Sequence, residues 1–237
     1  MKFPPPLNKN NRHHAEHVCY LGTTGSCKTT AIQTLGFIKK TDQVVIFDPY
    51  AEHAGQQVGQ QRVKGFDTPD TFYQALWAAR KTATPFAYAL TDQPRTPAAL
   101  ERFANMVWSV CDGHHVKRLH CVIEELAKFT HQVSKLDGVA GELWTGGRGF
   151  GLVMHTTFQR SQEVPKTVLN ESAYFYIGAV ATPANAKWID ENLGVPKDEV
   201  LALSTVRDTG KHADYLLKSP GIGNWKKGKI TPPRRAR

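Results

Sequence analysis

The stretch Gly22-Thr23-Thr24-Gly25-Ser26-Cys27-Lys28-Thr29-Thr30 has the spacing of a phosphate-binding loop, G-x-x-x-x-G-K-[ST], with cysteine just before the lysine, where glycine is the rule. Backbone N–H groups of such a loop turn inward as an anion nest, and the helix that follows adds partial positive charge. Lys28 would reach the β- and γ-phosphates of ATP, and Thr29 would place a hydroxyl on Mg2+. Residues 22–30 are therefore candidate nucleotide contacts. Cys27 is the departure: if that position needs positive φ, a Cβ there costs on the order of 1 kcal/mol, and the loop binds nucleotide less tightly or takes a different path. The competing reading is a plain glycine-rich turn ending in a lysine.

Glu124-Glu125 closes an apolar run, Leu119-His120-Cys121-Val122-Ile123. Glu124 would hold Mg2+, directly or through water, and Glu125 would orient or deprotonate an attacking water; phosphoryl transfer needs both tasks beside the γ-phosphate. Aspartate is the usual residue at the first of these positions. Two acids at a helix start, favoured by the helix dipole, are the alternative. Asp48 ends the run Val44-Val45-Ile46-Phe47, and a carboxylate at the C-terminal end of a parallel strand lies on the ligand side of the sheet; a turn-forming Asp before Pro49 is the other reading. Gln159 follows Leu152–Phe158 and would face the γ-phosphate, or merely cap the strand. Arg148, in Gly146-Gly147-Arg148-Gly149-Phe150-Gly151, would reach a neighbouring subunit's nucleotide, or is a solvated loop charge. Cys111, His114, His115, His120 and Cys121 match no zinc spacing.

These residues need elements to position them. Residues 17–21 read as a buried strand and 29–40 as a helix, the setting a phosphate loop requires. The continuous apolar run at 44–47 is that of a strand buried on both faces of a parallel sheet. Thr68-Pro69, Thr96-Pro97 and Thr182-Pro183 each pair an N-cap with a proline at the first helical position, predicting helices over 68–82, 97–112 and 183–193. Further strands are expected at 85–90, 173–181 and 211–218, a helical stretch within 128–144, a short helix at 196–203, and a loop at 51–65. The domain organisation expected is a flexible N-terminal arm, 1–16, an α/β ATPase domain, 17–218, and a basic tail, 219–237.

The 237 residues suit one α/β domain, and 41% apolar content supplies a core. The net charge of +9 points to a polyanionic partner. No acidic residue follows Lys218, while Lys226, Lys227, Lys229, Arg234, Arg235 and Arg237 do. The four cysteines form no C-x-x-C pair and fit a reducing compartment. The polar, proline-rich start lacks a signal peptide's pattern, and the longest apolar run, 173–181, is too short to span a bilayer.

Taken together, the loop at 22–30, the strand ends Phe47-Asp48-Pro49 and Glu124-Glu125, Arg148 among its glycines, and Thr157-Phe158-Gln159-Arg160 resemble the FtsK–HerA superfamily of P-loop ATPases. Within it the chain resembles the genome-packaging ATPases of tectivirus-type, double-jelly-roll viruses. The resemblance covers residues 17–218 and implies a three-layer RecA-like P-loop NTPase with a mainly parallel central sheet. It further implies a homo-oligomeric, hexameric ring around double-stranded DNA, active sites between subunits, Arg148 as a trans-acting arginine finger, a capsid or portal vertex protein as partner, and a place at the virion's packaging vertex and in the host cytoplasm. Two other readings stay open: a related ATPase of phage assembly or conjugative DNA transfer, and a non-hydrolysing nucleic-acid-binding or capsid-vertex protein with a decayed loop.

Overall fold

Alternation along the buried strands sorts apolar side chains onto two faces of one sheet. In β1 (Val18–Leu21), Cys19 and Leu21 enter one core and Val18 and Tyr20 the other; β2 (Gln43–Asp48) divides Val45 and Phe47 from Val44 and Ile46 in the same way. The computed structural model describes residues 3–130 and 135–233. Its other strands are β3 (Gln57–Val58), β4 (Gln61–Arg62), β5 (Lys64–Phe66), β6 (Phe86–Thr91), β7 (Leu119–Ile123), β8 (Leu152–Phe158), β9 (Tyr174–Gly178), β10 (Ala213–Lys218) and β11 (Trp225–Ile230). β3 and β4 pair with each other; the rest form a 9-stranded sheet in the order β11-β10-β9-β1-β8-β7-β2-β6-β5. From β9 to β5 every neighbouring pair is parallel, and β10 and β11 run antiparallel at one edge.

Helices cover both faces, as a parallel sheet requires. They are α1 (Lys28–Thr34), α2 (Pro69–Ala79), α3 (Pro97–Ser109), α4 (Gly138–Thr145), α5 (Lys166–Glu171), α6 (Pro183–Leu193), α7 (Lys197–Leu201) and α8 (Val206–Thr209). α1 buries Ala31 and Ile32 against one face; α2, α3, α4 and α6 bury Phe72, Phe103, Leu143 and Ile189 against the other. The three Thr-Pro starts hold: Thr68, Thr96 and Thr182 accept from Thr71, Ala99 and Asn185 N–H. No helix among the described residues is long and apolar enough to cross a membrane.

Several boundaries differ from expectation. α1 stops at Thr34 rather than reaching residue 40: the Thr34 hydroxyl donates back to Thr30 O at 2.8 Å, Gly36 takes a positive φ of 83°, and the chain turns to bury Ile38. The expected loop at 51–65 contains β3, β4 and the start of β5, pieces too short for periodicity to register. The expected basic tail contributes β11, paired with β10 from Ala213–Ile230 to Lys218–Trp225, so the sheet extends past residue 218. Its lysines suit an edge strand, where charge discourages pairing with another chain. Arg234, Arg235 and Arg237 lie outside the described residues, as do residues 131–134 of the expected helical stretch.

The N-terminal segment is bound along the domain, in contrast to the free arm expected. Leu7 N–H donates to Cys111 O at 2.9 Å, Gly113 N–H to Leu7 O at 3.2 Å, and Asn10 N–H to Gly149 O at 2.7 Å. Gly113 permits this approach, since a Cβ there would lie 2.4 Å from Asn8 O.

One polar chain crosses the core. The Tyr20 hydroxyl lies 3.1 Å from His155 Nδ1, His155 Nε2 lies 2.9 Å from His120 Nδ1, and His120 Nε2 lies 3.5 Å from Asp42. One proton arrangement satisfies all three contacts: Tyr20 donates to His155, His155 to His120, and His120 to Asp42. His17 is likewise committed, accepting from Met154 N–H and donating to Trp144 O. Burial depresses the pKa values of His17 and His120 to about 4 and lowers that of His155. With folded-state pKa values below the ordinary 6.5, the unfolded chain binds the extra protons, so stability is whole above about pH 6.5 and is lost as pH falls toward 4. For His17 the loss is on the order of 3 kcal/mol. Denaturant midpoints should drop between about pH 7 and pH 5, and His53, whose pKa is raised, opposes the drop over the same range; a midpoint that also stays flat in His53→Gln would show that these histidines accept protons in the fold at no cost.

Candidate nucleotide-binding site

The loop after β1 is pinned at both ends. Gly22 N–H donates to Phe158 O at 3.2 Å and Thr23 N–H to Ala179 O at 2.8 Å, tying it to the ends of β8 and β9. Ser26 is fully buried, its hydroxyl donating to Thr23 O at 2.7 Å and its carbonyl accepting from Tyr176 Oη at 2.6 Å. Glycine is needed on both sides of Ser26: a Cβ on Gly22 would fall 2.5 Å from Ser26 Oγ, and one on Gly178 would fall 2.6 Å from Ser26 Cβ. Cys27 takes φ 60°, ψ 31°, the left-handed region. The backbone has kept the conformation that favours glycine, and the cysteine carries the strain.

Lys28 Nζ lies back over the loop, donating to Gly22 O at 2.7 Å and Thr23 O at 3.2 Å. Burial lowers its pKa, against the opposing pull of Glu124 and Glu125. Thr29 Oγ1 donates to Glu124 Oε2 at 3.0 Å. Two hard oxygen donors thus meet beside the loop, the donor type Mg2+ takes. Glu125, at φ 50°, ψ 45°, is a second non-glycine residue in the left-handed region, held there by its N–H donating to Thr157 Oγ1 at 2.8 Å. Its carboxylate accepts from Gln159 Nε2 at 2.5 Å and pairs with Lys128. Burial pushes the Glu125 pKa up, but hydrogen bonds from Lys128 and Gln159 outweigh it and hold the group below the usual carboxylate range.

Lys28, Thr29, Glu124, Glu125 and Gln159 therefore converge at the C-terminal ends of β1, β7 and β8. Asp48 reaches this end of the sheet but is used otherwise: its carboxylate accepts N–H bonds from Glu52, His53 and Ala54 at 2.8, 2.9 and 3.1 Å. This is the turn-forming reading of Asp48, extended to a buried, three-bond anchor. Arg148 lies before β8, at the opposite end from Gln159, and donates to His13 O at 2.6 Å. Across a strand of 7 residues the separation is roughly 23 Å, so Arg148 does not share this site.

Sequence reasoning missed His53 and Lys128. His53 is buried, its Nε2 2.9 Å from Glu124 Oε1. Burial opposes its protonation, yet the hydrogen bond it donates to Glu124 and the charges of Glu124, Asp48 and Glu52 prevail and raise its pKa. Neither residue sits in a motif; a lone histidine in a glycine- and glutamine-rich stretch carries no signal.

A parallel sheet covered on both faces, a phosphate-type loop after β1, and paired acids after β7 with β8 between them make this a three-layer RecA-like P-loop NTPase fold. No family model matches the chain. The chain is 27% identical over 130 residues to Protein P9 of Pseudoalteromonas phage PM2, an alignment spanning 55% of this chain and 57% of that protein. Its fold is similar to that of the genome packaging NTPase B204 of Sulfolobus turreted icosahedral virus 2 in complex with AMPPCP, with a TM-score of 0.67, 12% identity, and coverage of 93% of this chain and 98% of B204. The pCW3 conjugation coupling protein TcpA with ATPγS bound is more distant, at a TM-score of 0.50 and 16% identity over 92% of this chain and 60% of TcpA. The resemblance to FtsK–HerA ATPases thus stands at the level of the fold.

Returning Cys27 to glycine should relieve the left-handed strain and raise stability by about 1 kcal/mol. Urea unfolding of Cys27→Gly should show a higher midpoint at unchanged slope; an unmoved or lower midpoint would mean the loop stores no strain there.

Proposed function

We propose that this chain is a DNA-translocating ATPase that drives double-stranded DNA into a preformed viral capsid. The observation that carries the reading is the convergence of Lys28, Thr29, Glu124, Glu125 and Gln159 at one end of the sheet. The near-complete coverage of a genome packaging NTPase supports the task.

Bound ATP·Mg2+ would supply the transferable phosphoryl group and the metal's counter-charge. The loop amides and the Lys28 ammonium hold phosphate charge, and Lys28 must leave the carbonyls of Gly22 and Thr23 to do so. Thr29 and Glu124 hold the metal. Glu125 orients a water and takes its proton, a contribution of typically about 10²–10⁴ in rate. Its contacts with Lys128 and Gln159 keep it ionised and so able to accept. Gln159, at the end of β8, registers loss of the γ-phosphate and passes it to DNA-facing loops. Arg148 acts on the nucleotide of an adjacent subunit in a hexameric ring, an effect worth roughly 10³–10⁵ in rate in other NTPases. The net charge of +9 and the exposed Lys226 and Lys229 grip DNA phosphates without reading sequence. A capsid or portal vertex protein anchors the ring.

The likeness to a conjugation coupling protein keeps a second DNA-pumping task in view. A decayed, non-hydrolysing loop is disfavoured by Cys27 itself, because the loop holds its left-handed turn despite the Cβ.

Purified protein should hydrolyse ATP faster with long double-stranded DNA and run at a ring-sized mass. Lys28→Ala should abolish turnover with the fold intact, and Glu125→Gln should retain ATP without hydrolysing it. Unchanged turnover in Lys28→Ala would refute the loop assignment, and absence of turnover in the wild-type ring with DNA would favour the decayed loop. A separate experiment addresses Arg148: mixing Arg148→Ala with Lys28→Ala subunits should recover part of the activity that each lacks alone, and no recovery in mixed rings would remove Arg148 from the neighbour's site.

A further inference from the structure

We propose that His53 is a positioning residue for Glu124, holding that carboxylate in place for the divalent cation that accompanies the nucleotide. The inference rests on the nucleotide-binding reading above. Asp48 begins the chain of cause. By accepting three successive N–H groups it coils residues 51–54, with Ala51 at a left-handed φ of 53°, and turns the His53 ring inward. Only 2% of His53 stays exposed. Nε2 meets Glu124 Oε1 at 2.9 Å, while Glu124 Oε2 accepts from Thr29 Oγ1 at 3.0 Å. Each carboxylate oxygen thus has one donor, one from either side, and the plane of the group is set.

The arrangement makes sense of a glutamate where aspartate is usual. Glutamate has one more torsion to freeze before it can hold a metal. Thr29 restrains one oxygen; His53 restrains the other. A role in stability alone explains the imidazole poorly. Its Nδ1 is buried and has no hydrogen-bond partner among the described residues, which costs free energy. The one side-chain hydrogen bond found for the ring runs to Glu124. A ring bought at that cost points to what it holds. Partners that orient a metal ligand typically change metal affinity by about 10–100-fold when removed.

The test measures Mn2+ binding to the protein–ATPγS complex by electron paramagnetic resonance, with thermal unfolding in parallel. His53→Ala should weaken Mn2+ about tenfold or more while ATPγS binding without metal changes little. His53→Gln places an amide N–H near the position of Nε2 and should recover most of the affinity. In Glu124→Gln the His53→Ala change should add little, because His53 acts through that carboxylate. Wild-type Mn2+ affinity in His53→Ala, or a full second loss in the Glu124→Gln background, would overturn the proposal and leave the ATPase reading intact. His53→Gln as impaired as His53→Ala would also overturn it. Wild-type protein that binds no nucleotide would instead overturn the ATPase reading, and this one with it.

Discussion

The hydrogen bond between Thr29 and Glu124 closes a gap that the sheet itself leaves open. Thr29 follows β1 and Glu124 follows β7, and β8 runs between those strands. The contact at 3.0 Å forms because β1, β8 and β7 end within two residues of one another. Parallel register enforces this: Leu21 lies beside Phe158, and Ile123 beside Thr156. β1 and β8 therefore lead level into Gly22 and Gln159, and β7 leads into Glu124 beside Thr157, so all three enter the site from the same end of the sheet. A slip of one residue would turn every side chain of a strand to the other face and exchange its two cores, so burial of Cys19 and Leu21 against Val18 and Tyr20 protects the site's geometry as much as its stability.

Two residues beside the phosphate loop and the paired acids carry backbone strain and belong to the proposed chemistry. Cys27 and Glu125 each stand at positive φ without being glycine. Such residues persist where their surroundings over-determine them. Ser26, locked by Tyr176 and wedged between Gly22 and Gly178, fixes the backbone entering Cys27. Thr157 fixes the N–H of Glu125. The restraints come from β8 and β9, the strands flanking β1, so the central part of the sheet works as a frame for two tight turns.

Much of this was legible in the sequence because local chemistry and global fold agree. The Thr-Pro starts, the apolar runs, the loop spacing and the two glutamates each signal by residue type within a few positions. What escaped depends on contacts across the chain. β3, β4 and β5 have 2 or 3 residues each and show no period. β11 hid under its lysines, because charge reads as solvent exposure and an edge strand is where a sheet tolerates it. The N-terminal segment looked free for want of a core, yet its partners are backbone groups of residues 111, 113 and 149, which no side-chain pattern announces. Asp48 was placed at the right end of the sheet, but its three bonds to the following loop were invisible without the turn, and so was His53.

The buried polar groups then acquire a common logic. An apolar core fixes layers and spacing but tolerates small shifts, whereas a hydrogen-bonded group accepts one geometry and costs free energy in any other. Two lines of buried polar residues run toward the site. Asp48 leads through His53 to Glu124. Asp42 leads through His120 and His155 to Tyr20, whose ring lies 6.0 Å from that of Tyr176, the residue that holds Ser26 O. One line approaches the metal-binding carboxylate and the other approaches the phosphate loop. His120 and His155, which burial keeps uncharged, lie on the second of these lines, and the loss of stability they bring in acid is the expected cost of that placement.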